Sequence, residues 1–149
     1  MATRKLDPDQ ALLLDNQLCF ALYSTSLAMT KLYKPLLDGL GLTYPQYLAM
    51  LVLWERDGLT VSELGERLYL DSGTLTPMLK RLEAAGLISR IRAVTDERRV
   101  HLTLTAAGRR LKVRAAKIPG CILDASQCSL SELVSLTQQV QALRQRLVT

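Results

Sequence analysis

The sequence is poor in the residues and motifs on which enzymes and metal proteins depend. It has one histidine, His101, among 149 residues, so a Ser-His-Asp or Cys-His catalytic arrangement has little to draw on. It contains no phosphate-binding loop and no glycine-rich dinucleotide fingerprint. It has no CxxC pair, and Cys121 and Cys128 lie seven positions apart, so the signal for a metal site is weak. We therefore expect no enzyme, no metal and no cofactor.

Long apolar runs are also missing. No stretch approaches the roughly 18–20 uninterrupted apolar residues of a membrane span, and the first residues lack a signal-peptide pattern. Three cysteines, an odd number without a close pair, do not form a disulfide scaffold. The sequence therefore predicts a cytoplasmic protein with no membrane partner, in which any disulfide is a transient redox event.

What is present is an ordinary globular composition with an uneven distribution of charge. Hydrophobic residues make up 48% of the chain and charged residues 22%, and the length fits a single domain over residues 1–149. The net charge is +5, but residues 80–117 hold eleven Lys/Arg against three acids, a net of +8. The rest of the chain is net negative. A basic block of this kind is the expected footprint of a protein that binds the phosphate backbone of nucleic acid.

The helix predicted between Asp71 and Gly86 begins before that block and ends inside it. It has the pattern of a helix that reads DNA, and we call it the reading helix. Asp71 or Ser72 can cap it, Pro77 falls in or near its first turn, and Gly86 suits its end. An apolar stripe recurs at helical spacing in Leu75, Met78, Leu79 and Leu82. A helix with small hydroxyl residues at its start and basic residues behind them can enter a major groove. The residues expected to face DNA are Ser72, Thr74, Thr76, Lys80 and Arg81.

Apolar periodicity predicts the other elements. Residues 1–10 are an expected mobile arm, Thr43 and Ser62 are expected helix caps, and Pro35 is expected near the end of the first helix or at a bend. Helices are predicted at 12–37, 46–54, 63–68, from 105 to a break at Pro119-Gly120, and at 129–147, and strands at 87–94 and 99–104. A helix-turn-helix followed by a hairpin is a winged helix, here over residues 43–104. The predicted fold class is mainly α with a small β-hairpin wing.

The first and last helices carry more apolar residues than a single chain can cover. They flank the winged-helix unit, and their stripes would be exposed in a monomer. Packing against a second copy removes this exposure, so both helices are predicted to form a homodimer. A homodimer also presents two reading helices to the two half-sites of a palindromic double-stranded operator.

These features together resemble the MarR family of winged-helix transcription regulators, with Asp96-Glu97-Arg98 at the tip of the wing. The segment 70–83, taken with Cys19, resembles the organic-hydroperoxide-sensing branch of that family, and Tyr23, Tyr33, Tyr44 and Asp71 stand at matching positions. The similarity extends from about residue 12 to residue 147. It implies a DNA-binding repressor that an organic hydroperoxide releases from its operator.

The resemblance also implies roles for the wing. In the family a wing arginine reaches into the minor groove and an acidic neighbour holds it, positions that fall here on Arg98 and Asp96. A guanidinium suits a narrow, negative groove, and a carboxylate two residues away can orient it. Arg99 belongs to the same set of expected DNA contacts. A solvated turn with a weak surface ion pair is the alternative.

Cys19 is the candidate redox sensor. A lone cysteine on an apolar helix can be a buried, inert residue, and no Lys or Arg within one turn favours its thiolate. Tyrosine hydroxyls could stabilise the thiolate instead. Tyr33 lies fourteen residues on, about 21 Å along a helix, so Tyr33 and Tyr44 should come from the partner chain. This agrees with the family, in which Tyr23 and Asp71 link the sensor helix to the reading helix.

The second redox residue is left open between Cys121 and Cys128. Some family members form an inter-subunit disulfide near the last helix, and others form adducts with small thiols. Cys121 is slightly favoured because it follows the predicted break at Pro119-Gly120, where movement is easier. The predicted sequence is oxidation of Cys19 to a sulfenic acid, condensation with a C-terminal cysteine, rotation of the subunits and loss of the operator.

Three other functions fit parts of the pattern. A MarR-type regulator released by a small phenolic ligand shares the whole DNA-binding interpretation and differs only in its trigger. A thiol peroxidase could use Cys19, but a two-strand hairpin in a helical chain predicts no thioredoxin-like sheet. A metal sensor has only the weak cysteine signal described above.

Overall fold

The computed structural model describes residues 5–94 and 99–148. These residues form a mainly helical fold with one antiparallel hairpin, which confirms the predicted fold class. The helices and strands, in chain order, are α1 (Pro8–Ala11), a 3-10 turn (Leu14–Asn16), α2 (Leu18–Asp38), α3 (Tyr44–Glu55), α4 (Val61–Leu68), α5 (Ser72–Ala84), β1 (Ile88–Arg92), β2 (Val100–Leu104), α6 (Ala106–Ala115), α7 (Ile118–Ser126) and α8 (Leu130–Leu147).

The hydrophobic core lies where α3, α4, α5 and the hairpin meet. The predicted apolar stripe of α5 is buried in full, with Leu75, Leu79 and Leu82 exposed by at most 1%. Helix α3 begins with the predicted cap, since the Thr43 and Gln46 side chains bond each other's backbone N–H groups. Its residues Ala49 and Met50 are fully buried. The reading helix therefore rests on a core made within one chain.

The turn between α4 and α5 is short because two residues have special backbone roles. A Cβ atom at Gly65 would lie 2.8 Å from the Leu70 carbonyl oxygen, so only glycine allows this close approach without a shift. Tyr69 ends α4 in the left-handed conformation, with φ at 57°. Asp71 then caps α5. The two helices of the helix-turn-helix are thus fixed by a close contact and a tight turn.

The hairpin is joined to the helices by hydrogen bonds to the segment before α4. Ile88 pairs with Leu104 and Arg92 with Val100. The Leu102 N–H donates to the Leu59 carbonyl at 2.7 Å, and the Gly58 N–H donates to the Leu102 carbonyl at 3.0 Å. The wing strands therefore have a fixed position relative to α4 and α5.

Several predicted boundaries were wrong at the N-terminal end. Residues 8–11 form a short helix capped by Asp7, not part of an arm, and the long helix begins at Leu18 rather than at residue 12. The Asn16 and Gln17 side-chain amides donate to the carbonyls of Gln10 and Ala11, each at 2.7 Å, and hold the chain in a turn there. Apolar spacing continues through this turn and conceals it.

Two further predictions about helix ends were wrong. Thr60 rather than Ser62 caps α4, because the Thr60 hydroxyl accepts from the Glu63 N–H at 3.1 Å. The break predicted at Pro119-Gly120 lies just before it, and Pro119 stands in the first turn of α7. Proline is tolerated there because the N–H it lacks has no partner in a first turn.

The outer helices leave apolar side chains exposed, as the sequence suggested. Leu18 at the start of α2 is 60% exposed, and Leu136 on α8 is 54% exposed. No residue of α8 is buried. Over the described part of the chain, no helix is long and apolar enough to cross a membrane.

Candidate nucleic-acid interface and thiol site

The start of the reading helix α5 is fixed by Asp71. Its Oδ1 accepts a hydrogen bond from the Thr74 N–H at 2.7 Å, so Asp71 rather than Ser72 is the cap. This bond lowers the pKa of the Asp71 carboxyl below its usual value. The carboxylate also lies at the positive end of the helix dipole.

The predicted DNA-facing side chains of α5 are exposed, with one exception. Ser72, Thr74, Lys80 and Arg81 are exposed, whereas Thr76 is half-buried and its hydroxyl donates to the Ser72 carbonyl at 2.8 Å. Thr76 is therefore turned towards its own helix more than the sequence suggested. The other four side chains form the outer surface of the helix.

A cleft lies between the reading helix, the start of α4 and the wing. Its volume is about 550 Å³, and its lining includes Ser62, Ser72, Thr76, Arg90 and Arg99. The carboxylates of Glu63 and Glu66 line the same cleft, so Arg99 and the hydroxyl groups are the members suited to a phosphate. The other two wing residues predicted to contact DNA, Asp96 and Arg98, lie outside the described residues.

An ion pair that the sequence did not reveal joins the reading helix to the wing. Glu83 near the end of α5 accepts from the Arg90 backbone N–H at 3.2 Å and from Arg90 Nη2 at 3.3 Å. The Arg90 side chain lowers the pKa of the Glu83 carboxyl. Glu83 and Arg90 lie seven residues apart on different elements, so no local spacing marks the pair. It links the end of α5 to β1.

Cys19 is the second residue of α2 and is exposed. The alternative that Cys19 is buried and inert therefore does not hold within the single chain. Tyr23, one turn further along, is 62% exposed. Within the described residues, Tyr23 and Asp71 form no hydrogen bond with each other, so the expected link between them is not made inside this chain.

The predicted pocket tyrosines are brought together, but far from Cys19. The ring centroids of Tyr33 and Tyr44 are 4.9 Å apart, and the Tyr33 and Tyr47 centroids are 5.8 Å apart. Helix α2 runs without a break from Leu18 to Asp38, so fourteen residues separate Cys19 from Tyr33, about 21 Å. Burial raises the pKa of Tyr33 to about 12. Its hydroxyl is protonated at neutral pH, as that of any tyrosine is, and can donate a hydrogen bond.

Tyr47 was missed by sequence reasoning. It is 3% exposed and belongs to the same aromatic cluster, and burial raises its pKa and that of Tyr44. Its position on a helix that is apolar almost all round suggested only a core residue. The Tyr47 ring centroid lies 5.8 Å from that of Tyr33 and 6.4 Å from that of Tyr44.

The two candidate partners for Cys19, Cys121 and Cys128, lie in different backbone environments. Cys121 is exposed but lies inside α7, where its N–H donates to the Lys117 carbonyl at 3.2 Å. Cys128 is half-buried in the turn between α7 and α8, next to Gln127, which has a φ of 57°. Cys121 was favoured because a break in the helix was expected beside it. In the structure Cys121 is inside a helix, and Cys128 is the one that lies in a turn between helices.

A second cleft, of about 490 Å³, lies beside the tyrosine cluster. It is mostly apolar, and Lys31, Lys34 and Tyr44 stand among its lining residues. Among the residues the structure describes, no group of three His, Cys, Asp or Glu side chains is arranged to hold a metal ion.

Comparison with known proteins decides the family. The model of the SarA/Rot transcriptional regulators matches residues 31–114. The organic hydroperoxide resistance transcriptional regulator of Bacillus subtilis is 57% identical over 134 residues, which cover 90% of this chain and 91% of that protein. The chain belongs to the MarR-type winged-helix transcriptional regulators. The predicted resemblance to the organic-hydroperoxide branch of this family is confirmed.

Solved structures of AbfR from Staphylococcus epidermidis share the fold of this MarR-type chain. Reduced AbfR bound to DNA has a TM-score of 0.79 and 34% identity, covering 96% of this chain and 100% of that one. AbfR with its disulfide formed has a TM-score of 0.64 and 35% identity, covering 94% of this chain and 93% of that one. The conformation described here is thus closer to the reduced, DNA-bound relative.

Proposed function

We propose that this chain is a homodimeric DNA-binding repressor in which Cys19 senses organic hydroperoxides. The single observation that carries the proposal is the exposed Cys19 thiol on the first turn of a helix whose apolar surface is left uncovered. The identity of 57% with an organic hydroperoxide resistance regulator supports the choice of oxidant. The regulator acts by binding and releasing DNA, without catalytic turnover.

The thiol pocket is completed by the second chain. Leu18, Phe20 and Leu22 are exposed around Cys19, and the tyrosine cluster lies too far along α2 to reach it. An antiparallel contact between the two α2 helices brings Tyr33 and Tyr44 of one chain to Cys19 of the other. Their hydroxyls form no hydrogen bond within the described residues and are free to donate to a thiolate.

The first chemical step is a two-electron oxidation of sulfur. The Cys19 thiolate attacks one oxygen of the hydroperoxide and forms an S–O bond while the O–O bond breaks. The alkoxide that leaves takes up a proton and becomes an alcohol, and Cys19 becomes a sulfenic acid. A second thiol then displaces the hydroxyl group, which leaves as water, and a disulfide forms.

Cys128 is the better placed of the two candidate partners for that disulfide. It lies in a turn immediately before α8, where the backbone can move without unwinding a helix. Moving Cys121 would break its helical hydrogen bond to Lys117. The subunit movement that follows separates the two reading helices from the half-sites of the operator.

The DNA contacts follow the geometry of the interface. The exposed side chains of α5 enter the major groove, and on the wing Arg98 reaches into the minor groove, where Asp96 orients it and Arg99 adds a further contact. Basic residues 80–117 supply the electrostatic attraction to the phosphates. The operator is a palindrome that matches the two-fold axis of the dimer.

The test uses the reduced protein and a duplex that it selects from a random pool. We expect cumene hydroperoxide to release wild-type protein from this duplex and to add the mass of one oxygen, followed by a disulfide-linked dimer on a non-reducing gel. Cys19→Ser should bind DNA but not respond. Cys128→Ser should stop at the sulfenic acid, whereas Cys121→Ser should behave as wild type. A Cys19→Ser protein that still leaves DNA with peroxide would overturn the proposal.

A second candidate function rests on the cleft beside Tyr44. Its apolar lining with Lys31 is suited to an aromatic carboxylate or phenol, while Lys34 is paired with Asp38 of the same lining at 3.4 Å. A regulator of this kind would leave DNA on addition of salicylate in the presence of a reductant, and Cys19→Ser would not change that response. Release by peroxide alone favours the thiol mechanism.

A further inference from the structure

A contact between the last helix and the turn of the helix-turn-helix has no role in the function described so far. The guanidinium carbon of Arg144, on α8, lies 4.5 Å from the centroid of the Tyr69 ring. Tyr69 is the residue that ends α4, two positions before the Asp71 cap of the reading helix. The contact joins residues 75 positions apart in the sequence.

Tyr69 has a backbone conformation that favours glycine. Its φ of 57° and ψ of 38° lie in the left-handed region, which is unfavourable for a residue with a Cβ atom. Its backbone N–H is held by the Gly65 carbonyl, but its ring is 53% exposed. A guanidinium over the ring face adds a cation–π attraction and restricts the side chain.

Arg144 lies on an element that the rest of the chain holds loosely. No residue of α8 is buried, and the helix follows directly after the turn that contains Cys128. The position of α8 in the dimer therefore depends on the partner chain and on the redox state of that turn. A displacement of α8 moves the guanidinium away from Tyr69.

We propose that Arg144 is a positioning residue that holds Tyr69, and through it the start of α5, in the orientation that reads DNA. Oxidation at Cys128 shifts α8 and removes this support at the joint between the two helices. The inference rests on the proposed function, because it assigns the route from the disulfide to the reading helix.

The first experiment measures operator affinity of the reduced protein, without peroxide. A cation–π contact at an exposed site contributes about 0.5–1 kcal/mol, which corresponds to a two- to fivefold change in affinity. Arg144→Gln and Tyr69→Leu should each weaken binding by about that factor, and the double variant should be no weaker than either single variant. Tyr69→Phe keeps the ring and should bind as wild type, and Arg144→Lys should retain part of the effect.

The same titrations at several salt concentrations exclude a direct DNA contact. If Arg144 only positions Tyr69, its loss leaves the slope of log affinity against log salt unchanged. The inference is overturned if Arg144→Gln lowers that slope by about one while Tyr69→Leu has no effect, or if the losses of the two single variants add. Full affinity in both single variants overturns it as well.

A peroxide titration separates this inference from the proposed function. Wild-type protein that is not released by cumene hydroperoxide contradicts the proposed function, even where the two single variants lose affinity together. Wild-type protein that is released, with Arg144→Gln binding and responding as wild type, contradicts only the role of Arg144.

Discussion

Two regions of the molecule differ in how much of their apolar surface a single chain covers. One is the reading unit, made of α3, α4, α5 and the hairpin, and the other is the pair of outer helices, α2 and α8. In the reading unit, the apolar stripe of α5 is buried, with Leu75, Leu79 and Leu82 at most 1% exposed. On the outer helices, Leu18 is 60% exposed, Leu136 is 54% exposed and α8 buries no residue. The apolar surface of the reading unit is covered within a single chain, whereas that of the outer helices is left exposed, and we propose that a second copy covers it.

The difference shows where oxidation can act. A well-packed core responds to a chemical change with large losses of stability, because it has few alternative arrangements. A surface that is shared between chains can rearrange with the reading unit intact. In the proposed function Cys19 lies on this shared surface, while Tyr69 and Asp71 lie in the turn between α4 and α5.

The largest expected effect separates the two regions directly. Leu82→Ala in the reading unit should lower the free energy of unfolding by about 2–5 kcal/mol, because the cavity cannot fill. Leu136→Ala, the same change on α8, should leave the unfolding of the subunit nearly unchanged and weaken dimerisation instead. Urea unfolding at two protein concentrations measures both. Equal effects of the two variants on subunit unfolding would contradict the comparison.

The second prediction concerns the tight turn of the reading unit. Gly65→Ala places a Cβ atom 2.8 Å from the Leu70 carbonyl oxygen and 3.0 Å from Leu75 Cδ1, so α4 and α5 must move apart. We expect a loss of about 1–3 kcal/mol in thermal unfolding and weaker DNA binding. Gly120→Ala in α7 is the control, since nothing lies within 4 Å of the added atom. It should stabilise the helix by up to about 1 kcal/mol.

The third prediction concerns the tyrosine cluster. Tyr33→Phe removes the hydroxyl whose pKa is about 12 and should slow the oxidation of Cys19 by about ten- to hundredfold, since a hydrogen bond to a charged group contributes about 1.5–3 kcal/mol. DNA binding of the reduced protein should not change. Stopped-flow oxidation at neutral pH measures the first effect, and unchanged oxidation would exclude Tyr33 from the pocket.

The raised pKa of Tyr33 also predicts how the free energy of unfolding changes at alkaline pH. In the unfolded chain Tyr33 ionises near pH 10, and in the fold only near pH 12. The folded state therefore holds more protons between these values, and stability falls as pH rises through that window. Alkaline unfolding of Tyr33→Phe should show a weaker dependence on pH there.

The smallest expected effect is at Asp71, which caps α5 at the turn after α4. Asp71→Asn keeps a side-chain oxygen that can cap α5, so stability at neutral pH should change little. The folded pKa of Asp71 is lowered, so the stability gained from its ionised form is present above the unfolded pKa and is lost as pH falls through the folded value. Thermal melts from neutral to acid pH should show this loss of stability in the wild-type protein and not in Asp71→Asn.

Local patterns in the sequence were sufficient for much of the fold. The stripe of α5, the Thr43 cap and the hairpin were predicted because helical spacing, capping chemistry and strand alternation are properties of neighbouring residues. The start of α2 at Leu18 was missed, because the turn before it is held by the side chains of Asn16 and Gln17 and apolar spacing does not record them.

The site divides in the same way. The sequence left open whether Cys19 is buried or exposed, and the association of Tyr33 with Tyr44 was expected from the family resemblance. The Glu83–Arg90 pair, the contribution of Tyr47 and the contact of Arg144 with Tyr69 depend on how distant elements pack, and no spacing in the sequence marks them. The roles of Asp96 and Arg98 stay predictions.

The most direct test of a shared sensing pocket uses mixed dimers. One chain carries Cys19→Ser, and the other carries Tyr33→Phe with Tyr44→Phe and keeps Cys19; two different affinity tags isolate the mixed dimer. The oxidation rate of the remaining Cys19 by cumene hydroperoxide is followed by intact mass. If the tyrosines act across the interface, Cys19 in the mixed dimer reacts at the wild-type rate, whereas in the Tyr33→Phe/Tyr44→Phe homodimer it reacts slowly. The same slow rate in both dimers would contradict the shared pocket.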